Sequence, residues 1–220
     1  MSTSRVVIFA NGVLPDPEKL RALLGPHDIF FCANGGTRHA LALGIAPAVV
    51  IGDLDSLADA DRAKLSSAHT RLIQHSHDKD ETDLELALVH ALSLKPSAIL
   101  IACGLGRRLD QTLGNIALLA DTRLRQIDCR LDDGVEEAFF CWESSEITGT
   151  SGDLVSLLPW GKEVTGVRTH GLRWPLDGES LYPERTRGIS NEMLAASATV
   201  SIQEGLLLVI HRRRSWAGDG

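Results

Sequence analysis

The sequence predicts an α/β domain built on a parallel sheet, followed by a smaller all-β unit of sandwich or barrel type. Three observations carry this. Up to about residue 132, short apolar runs alternate with segments of helical spacing. Those runs lack polar alternation, as strands do when both faces of a parallel sheet are covered. Beyond residue 132, short β-type runs are separated by Gly, Pro, Ser and Asn clusters and show no sustained helical period.

Taken in order, the first strand candidates are RVVIFA (5–10), DIFFCA (28–33), AVVI (48–51), RLIQH (71–75), SAILIAC (97–103) and QIDCRL (126–131). The clearest helix begins after Thr82, where Leu84, Ala87, Leu88, Ala91 and Leu92 keep the spacing of one buried face. Thr82 and Glu85 fit a capping box, and Lys95-Pro96 closes the segment. A second helix is expected from Gln111 to Leu124. In the later part, EEAFFCW, DLVSLLPW, KEVTGVRTH, ATVSIQ and GLLLVIH read as strands. The expected units are 1–132 and 133–220.

Composition narrows the function classes. The chain has 220 residues, 44% hydrophobic and 23% charged, with a formal net charge of −7. Both parts are acidic, with 14 basic and 16 acidic residues up to 132, then 8 and 13. That argues against a broad nucleic-acid surface. The one basic cluster, HRRRS (211–215), reads as a solvated tail. Cys32, Cys103, Cys129 and Cys141 form no C-x-x-C pair and read as reduced thiols packed in the core. The N-terminal apolar stretch is too short for a signal peptide, and no run is long enough to cross a bilayer. A cytoplasmic protein without membrane contact is expected.

Ligands of parallel α/β sheets bind beyond the carboxyl ends of the strands, so the residues that follow each strand candidate matter most. After the first come Asn11-Gly12, and after the second Asn34-Gly35-Gly36-Thr37. The third is followed by Gly52-Asp53-Leu54-Asp55-Ser56. The fourth leads into SHDKDETD, with Lys79, Asp80, Glu81 and Asp83. The fifth leads into GLGRRLDQ, with Gly104, Gly106, Arg107, Arg108, Asp110 and Gln111. Each has a plain explanation in turn chemistry, first-turn acids or solvated loop charge. His75 and His77, one residue apart with no matching pair, read as loop residues rather than zinc ligands. GLGRRL departs from a dinucleotide fingerprint at Leu109, which leaves a nicotinamide-dependent oxidoreductase as a weak alternative.

The combination points further. Carboxylates converging on one edge require a cation, and hard oxygen donors suit magnesium. Backbone amides at Gly35-Gly36 and Gly104–Gly106 suit phosphate oxygens, as does the fork of Arg108. Asp53 and Asp55 are therefore expected to share a metal that carries a nucleotide polyphosphate. No G-x-x-x-x-G-K-[ST] sequence is present.

Six motifs in order, ANGG (33–36), GDLDS (52–56), KDETDL (79–84), GRRLDQ (106–111), THGLRWPL (169–176) and GISN (188–191), give the chain its resemblance to the thiamin pyrophosphokinase (thiamin diphosphokinase) family. The resemblance implies a Rossmann-like, nucleotide- and metal-binding catalytic domain and a thiamin-binding β-sandwich, paired as a homodimer. It implies transfer of the diphosphate of ATP to the hydroxyl of thiamin, with release of AMP. Carried over by position, Asp53, Asp55 and Asp83 would hold Mg2+. Asp55, Asp83, Arg108, Asp110 and Gln111 would be catalytic. Gly35, Gly36, Lys79, Gly104, Gly106 and Arg108 would bind the nucleotide, and Trp174, Ser190 and Asn191 the thiamin. An indole suits a cationic thiazolium ring, whereas a core plug is the plainer reading of Trp174 beside Pro175. The sequence departs from the family pattern at Asn34, where aspartate is usual, and at Arg107, where glycine is usual. These departures leave a catalytically weak or silent nucleotide-binding homologue as one alternative, and a diphosphokinase for another heterocyclic alcohol, such as a hydroxymethylpterin, is a second.

Overall fold

The computed structural model describes residues 4–55 and 57–214. Ser56 of GDLDS and Ser215 of HRRRS lie outside the described residues. The chain divides into two compact units, Met1–Gly134 and Val135–Gly220.

In the first unit, strands and helices alternate: β1 (Val6–Phe9), α1 (Pro17–Leu23), β2 (Ile29–Ala33), α2 (Thr37–Ala42), β3 (Val49–Gly52), α3 (Asp59–Ser67), β4 (Arg71–Gln74), α4 (Asp83–Ser93), β5 (Ala98–Ala102), α5 (Leu109–Leu118) and β6 (Asp128–Asp132). The strands order as β6–β5–β1–β2–β3–β4, and every pairing among them is parallel. The chain runs outward from β1 to β4, then returns to the other side of β1 for β5. All four residues of β1 are completely buried, which explains the absence of polar alternation in VVIF. The edge strand β4 is the exception, with Arg71, Leu72 and Gln74 exposed.

Helix α4 follows its sequence signature. Thr82 Oγ1 accepts the Glu85 amide at 3.2 Å, and Leu84, Ala87, Leu88 and Ala91 are the buried face. Helix α5 differs from expectation, since it starts at Leu109 and stops at Leu118. Asp121 Oδ1 accepts the Arg123 amide at 2.8 Å and starts a separate 3-10 turn at Thr122–Leu124. A short carboxylate that competes for backbone donors in this way ends a helix.

The second unit is all β: β7 (Glu136–Cys141), β8 (Ser144–Thr148), β9 (Leu154–Pro159), β10 (Val164–His170), β11 (Asp177–Leu181), β12 (Asn191–Glu192), β13 (Ser197–Ser201) and β14 (Leu207–Arg212). One antiparallel run orders as β12–β9–β14–β7 and a second sheet as β11–β10–β13–β8. One buried cluster draws on both, including Phe139, Ile147, Leu157, Val167, Val200 and Leu207.

The reading of HRRRS as a solvated tail is overturned for its first residues, because His211 and Arg212 end β14. His211 is fully buried, with Nδ1 at 2.9 Å from Glu137 Oε1 and Nε2 at 3.0 Å from Asp153 Oδ2. The charge of the triplet hid this, since one strand position turned inward beside two carboxylates carries no sequence signal. All four cysteines are free and buried. Burial pushes the Cys103 and Cys129 thiols up to about 12. Among the described residues, no helix is long and apolar enough to cross a membrane.

Candidate functional site

A polar cleft of about 710 Å³ lies in the first unit. Residues from the ends of β1, β2, β3 and β5 border it, together with the loop after β4. The chain order reverses at β1 and β5, and crevices of open parallel sheets form at such a reversal. Asn34, Gly35, Asp53, Lys79, Asp83, Gly104, Gly106, Arg107, Arg108 and Gln111 all border the cleft.

Close backbone packing shapes its floor. A Cβ at Gly52 would stand 2.6 Å from Asn34 Cβ and 3.1 Å from Asp83 Cγ, so these three residues converge where β3 ends. A Cβ at Gly12 would meet the carbonyl oxygens of Cys103 and Leu105, each at 2.4 Å. Four non-glycine residues at these strand ends adopt positive φ: Asn34 (39°), Leu54 (61°), Cys103 (56°) and Arg107 (65°). Such backbone is strained and tends to gather at functional sites.

Asp53 borders the cleft and Asp55 does not, but the two carboxylates meet at its rim. The Asn34 amide donates to Asp53 Oδ1 at 2.8 Å, and the Asp55 backbone amide donates to the same oxygen at 3.3 Å. The adjacent Asp55 carboxyl is the main influence holding Asp53 below the usual carboxylate range, opposed by burial and aided by Asn34 and Lys79. His77 is the residue that the sequence reading set aside: one ligand atom each from Asp53, Asp55 and His77 all lie within 4.8 Å of one another. Asp83 is engaged differently, accepting Lys79 Nζ at 2.7 Å. Two carboxylate oxygens and an imidazole nitrogen at this spacing fit a divalent cation by donor chemistry. Position alone could have signalled His77, since it follows β4 just as Asp53 follows β3.

The remaining residues of this set separate. Arg108 and Asp110 pair with each other at 2.5 Å on open surface. The Arg108 hydrogen bond, then the Gln111 amide, hold the Asp110 carboxyl below its usual range. Gly36 is buried rather than bordering the cleft, and a Cβ there would stand 2.0 Å from the Phe9 carbonyl oxygen. Asn11 and Gly12, expected at this sheet edge, border the cleft too, as do Thr82 and Asn115, which were not expected there. Asn115 Nδ2 donates to the Gly104 carbonyl at 2.7 Å, which fixes the loop after β5.

In the second unit, Trp174 is 54% exposed, so the core-plug reading does not hold. Its backbone is held by a single side chain: the Trp174 amide donates to Asn191 Oδ1 at 3.0 Å, and Asn191 Nδ2 donates to the Trp174 carbonyl at 2.7 Å. Asn191 is buried, and its amide group thereby substitutes for a strand partner. The indole borders a cavity of about 220 Å³ with Leu176, Thr186, Arg187, Gly188, Ile189 and Asn191. Arg173 lies over the indole, 5.0 Å from the ring centroid. Ser190 is exposed, with φ of 58° and its amide donating to Ser156 Oγ at 3.1 Å. It does not border that cavity.

Fold and site together define an open-sheet α/β unit whose polar cleft is lined by glycines, carboxylates, Lys79 and arginines, and an antiparallel β unit with an exposed indole. Comparisons with known proteins make this specific. Residues 20–131 match the family described as "Thiamin pyrophosphokinase, catalytic domain", and residues 144–207 match "Thiamin pyrophosphokinase, vitamin B1 binding domain". The thiamine pyrophosphokinase of Bacillus subtilis (strain 168) is 30% identical over 208 residues, covering 92% of this chain and 96% of its own length. A crystal structure of thiamine pyrophosphokinase from Bacillus subtilis superposes with a TM-score of 0.86 at 28% identity, covering 96% of this chain and 99% of that one. The corresponding structure from Geobacillus thermodenitrificans gives 0.80 at 25% identity, covering 96% and 98%. The chain belongs to the thiamin pyrophosphokinase family.

Proposed function

We propose that the protein is a thiamin diphosphokinase, transferring the β,γ-diphosphate of ATP to the primary hydroxyl of thiamin and releasing AMP. The observation that carries this reading is one cleft lined by Asp53, Asp83, Lys79, Arg107 and Arg108, with Asp55 next to Asp53, in a chain matched by both domains of the family. Diphosphoryl transfer depends on positioning and charge neutralisation and needs no covalent nucleophile.

Each group has a part in that scheme. Asp53, Asp55 and Asp83 would hold a divalent cation, Mg2+ in the simplest case, which when bound neutralises charge on the polyphosphate. Lys79 is poised to exchange Asp83 for a phosphate oxygen, because both side chains border the same cleft. Gly35, Gly104 and Gly106 let a Rossmann-like sheet bring its backbone close to the nucleotide. Arg108 and Asp110 in their present pair leave each other when substrate arrives, freeing the guanidinium fork for phosphate and the carboxylate for the reacting hydroxyl beside Gln111. Trp174 offers its open face to the thiazolium ring, with Asn191 as the residue that positions it and Ser190 at the adjoining turn.

Exposed apolar side chains in the second unit, with Ile189 at 46% and Leu194 at 59% as well as Trp174, support a homodimer in which a second copy covers them. Four reduced cysteines suit a cytoplasmic location. Incubating the protein with ATP, Mg2+ and thiamin, and measuring AMP and thiamin diphosphate by chromatography, tests the assignment. Equimolar AMP and thiamin diphosphate are expected. Their absence at high enzyme concentration rejects the assignment, and turnover with hydroxymethylpterin in place of thiamin would move it to a different acceptor.

A further inference from the structure

We propose that His77 joins Asp53 and Asp55 as a protein ligand of the cation, and that its imidazole shifts the site's preference from Mg2+ towards Mn2+ and Co2+. The inference rests on the reading of this end of the cleft as a cation site. It goes beyond that reading by naming the residue that selects the ion.

The geometry begins with the backbone. β4 pairs with β3 so that Gln74 stands opposite Gly52. The His75 amide continues the ladder, donating to the Gly52 carbonyl at 2.9 Å. Gln74 Nε2 donates to the Asp53 carbonyl at 3.2 Å, which ties the two strand ends together one residue further on. The Lys79 amide donates to the His77 carbonyl at 3.1 Å, closing a tight turn centred on Asp78 that begins at His77. The ring is therefore carried to the end of β3 by paired backbone. Ligand atoms of Asp53, Asp55 and His77 lie within 4.8 Å of one another, a little more than the roughly 4.0–4.4 Å that one ion with ligands at about 2.0–2.2 Å spans, so small side-chain shifts close them on it.

Ligand chemistry then decides the ion. Asn34 turns its amide nitrogen to Asp53 Oδ1 at 2.8 Å, which orients that carboxylate. The close donor set is two oxygens and one nitrogen. Mg2+ favours an all-oxygen octahedron and keeps several waters. Imidazole favours later first-row ions, whose affinity rises along Mn2+, Fe2+ and Co2+ for a given site. A histidine in this position gives those ions an advantage that a further carboxylate would not.

Binding to the nucleotide-free full-length protein tests this independently of turnover. Free Mn2+ is followed by its solution EPR signal, and Mg2+ and Co2+ by competition. Loss of an outer-shell partner alone typically lowers metal affinity about 10–100-fold, so His77→Ala is expected to weaken Mn2+ and Co2+ at least about tenfold and Mg2+ much less. Pulsed EPR of bound Mn2+ is expected to show nitrogen coupling in the parent protein and none in His77→Ala. The His77 side chain is mostly exposed, so the variant should fold, which circular dichroism checks. Unchanged Mn2+ affinity in His77→Ala, or bound Mn2+ without nitrogen coupling, overturns the inference. Asp53→Ala separates the two levels: if it abolishes Mn2+ binding while His77→Ala does not alter it, the cation site stands and the role of His77 falls. If neither variant alters binding, both fall.

Discussion

Asn34 Nδ2 donates to Asp53 Oδ1 across 2.8 Å, so a neutral amide holds a carboxylate in place where β2 and β3 end side by side. Asn34→Asp would set two anions at that distance. We expect it to lower unfolding stability in EDTA by roughly 1–3 kcal/mol, the range for losing a hydrogen bond to a charged group. A divalent cation should restore much of the loss by binding the folded state alone. Urea unfolding with EDTA and with Mn2+ measures this, and equal stability in both would contradict it.

Arg107 has φ of 65°, a left-handed conformation that disfavours side chains. Its long contact with the Asn11 carbonyl, 3.4 Å from Nη1, offsets little of that. Arg107→Gly should raise stability by about 1 kcal/mol, the lower end of the left-handed penalty. If Arg107 also holds phosphate, the same variant will raise KM for ATP. Urea unfolding and steady-state kinetics separate the two effects.

Asp153 gives a pH dependence with a defined sign. Burial pushes its carboxyl up, but hydrogen bonds from the Arg214 and Thr150 amides, His211 and the Thr150 hydroxyl outweigh this and leave it below the usual 3.8. A carboxylate with a depressed folded pKa contributes stability above its unfolded pKa and loses it as pH falls through the folded value. Stability from this group should therefore be full above about pH 5 and decline below about 4. His211→Leu leaves Glu137 and Asp153 buried without the imidazole and should cost about 3–5 kcal/mol. Unfolding curves from pH 3 to 7 on both proteins provide the check.

For the proposed reaction, Asp55→Ala should lower turnover by at least about a hundredfold, as loss of a principal electrostatic group does. Near-normal turnover would remove Asp55 from the site. Trp174→Ala should act mainly on the thiamin KM, with a change of roughly 0.5–2 kcal/mol in binding. An equal loss in Asn191→Ala would show that the clamp on the Trp174 backbone, rather than contact with thiamin, is what Asn191 contributes.

Strands β1, β2, β3 and β5 were legible because each is an apolar run followed closely by Gly, Asn or Asp, as suits a sheet covered on both faces. The cleft was legible for the same reason: a parallel sheet sends all its strand ends to one side, so Asn34, Asp53 and Gly104 had to be neighbours. Three kinds of feature were hidden. β8, β11 and β12 are short and largely polar and take their structure from the strands they pair with. The end of α5 at Leu118, with Asp121 capping a separate turn after it, carries no break in the sequence pattern. His77 and His211 look alike in sequence, yet pairing puts the first beside Asp53 and folds the second between two buried carboxylates.

The buried cysteines make the molecule a reporter of its own opening. Burial raises the pKa of all four thiols, those of Cys103 and Cys129 to about 12, so closed off from solvent they present almost no thiolate at neutral pH, and alkylating reagents act on the thiolate. Modification then awaits separation of the sheets and helices around them, so the labelling rate of the untreated protein would follow how often each unit opens. Cys32, Cys103 and Cys129 would report on the parallel-sheet unit and Cys141 on the sandwich, with no engineered probe.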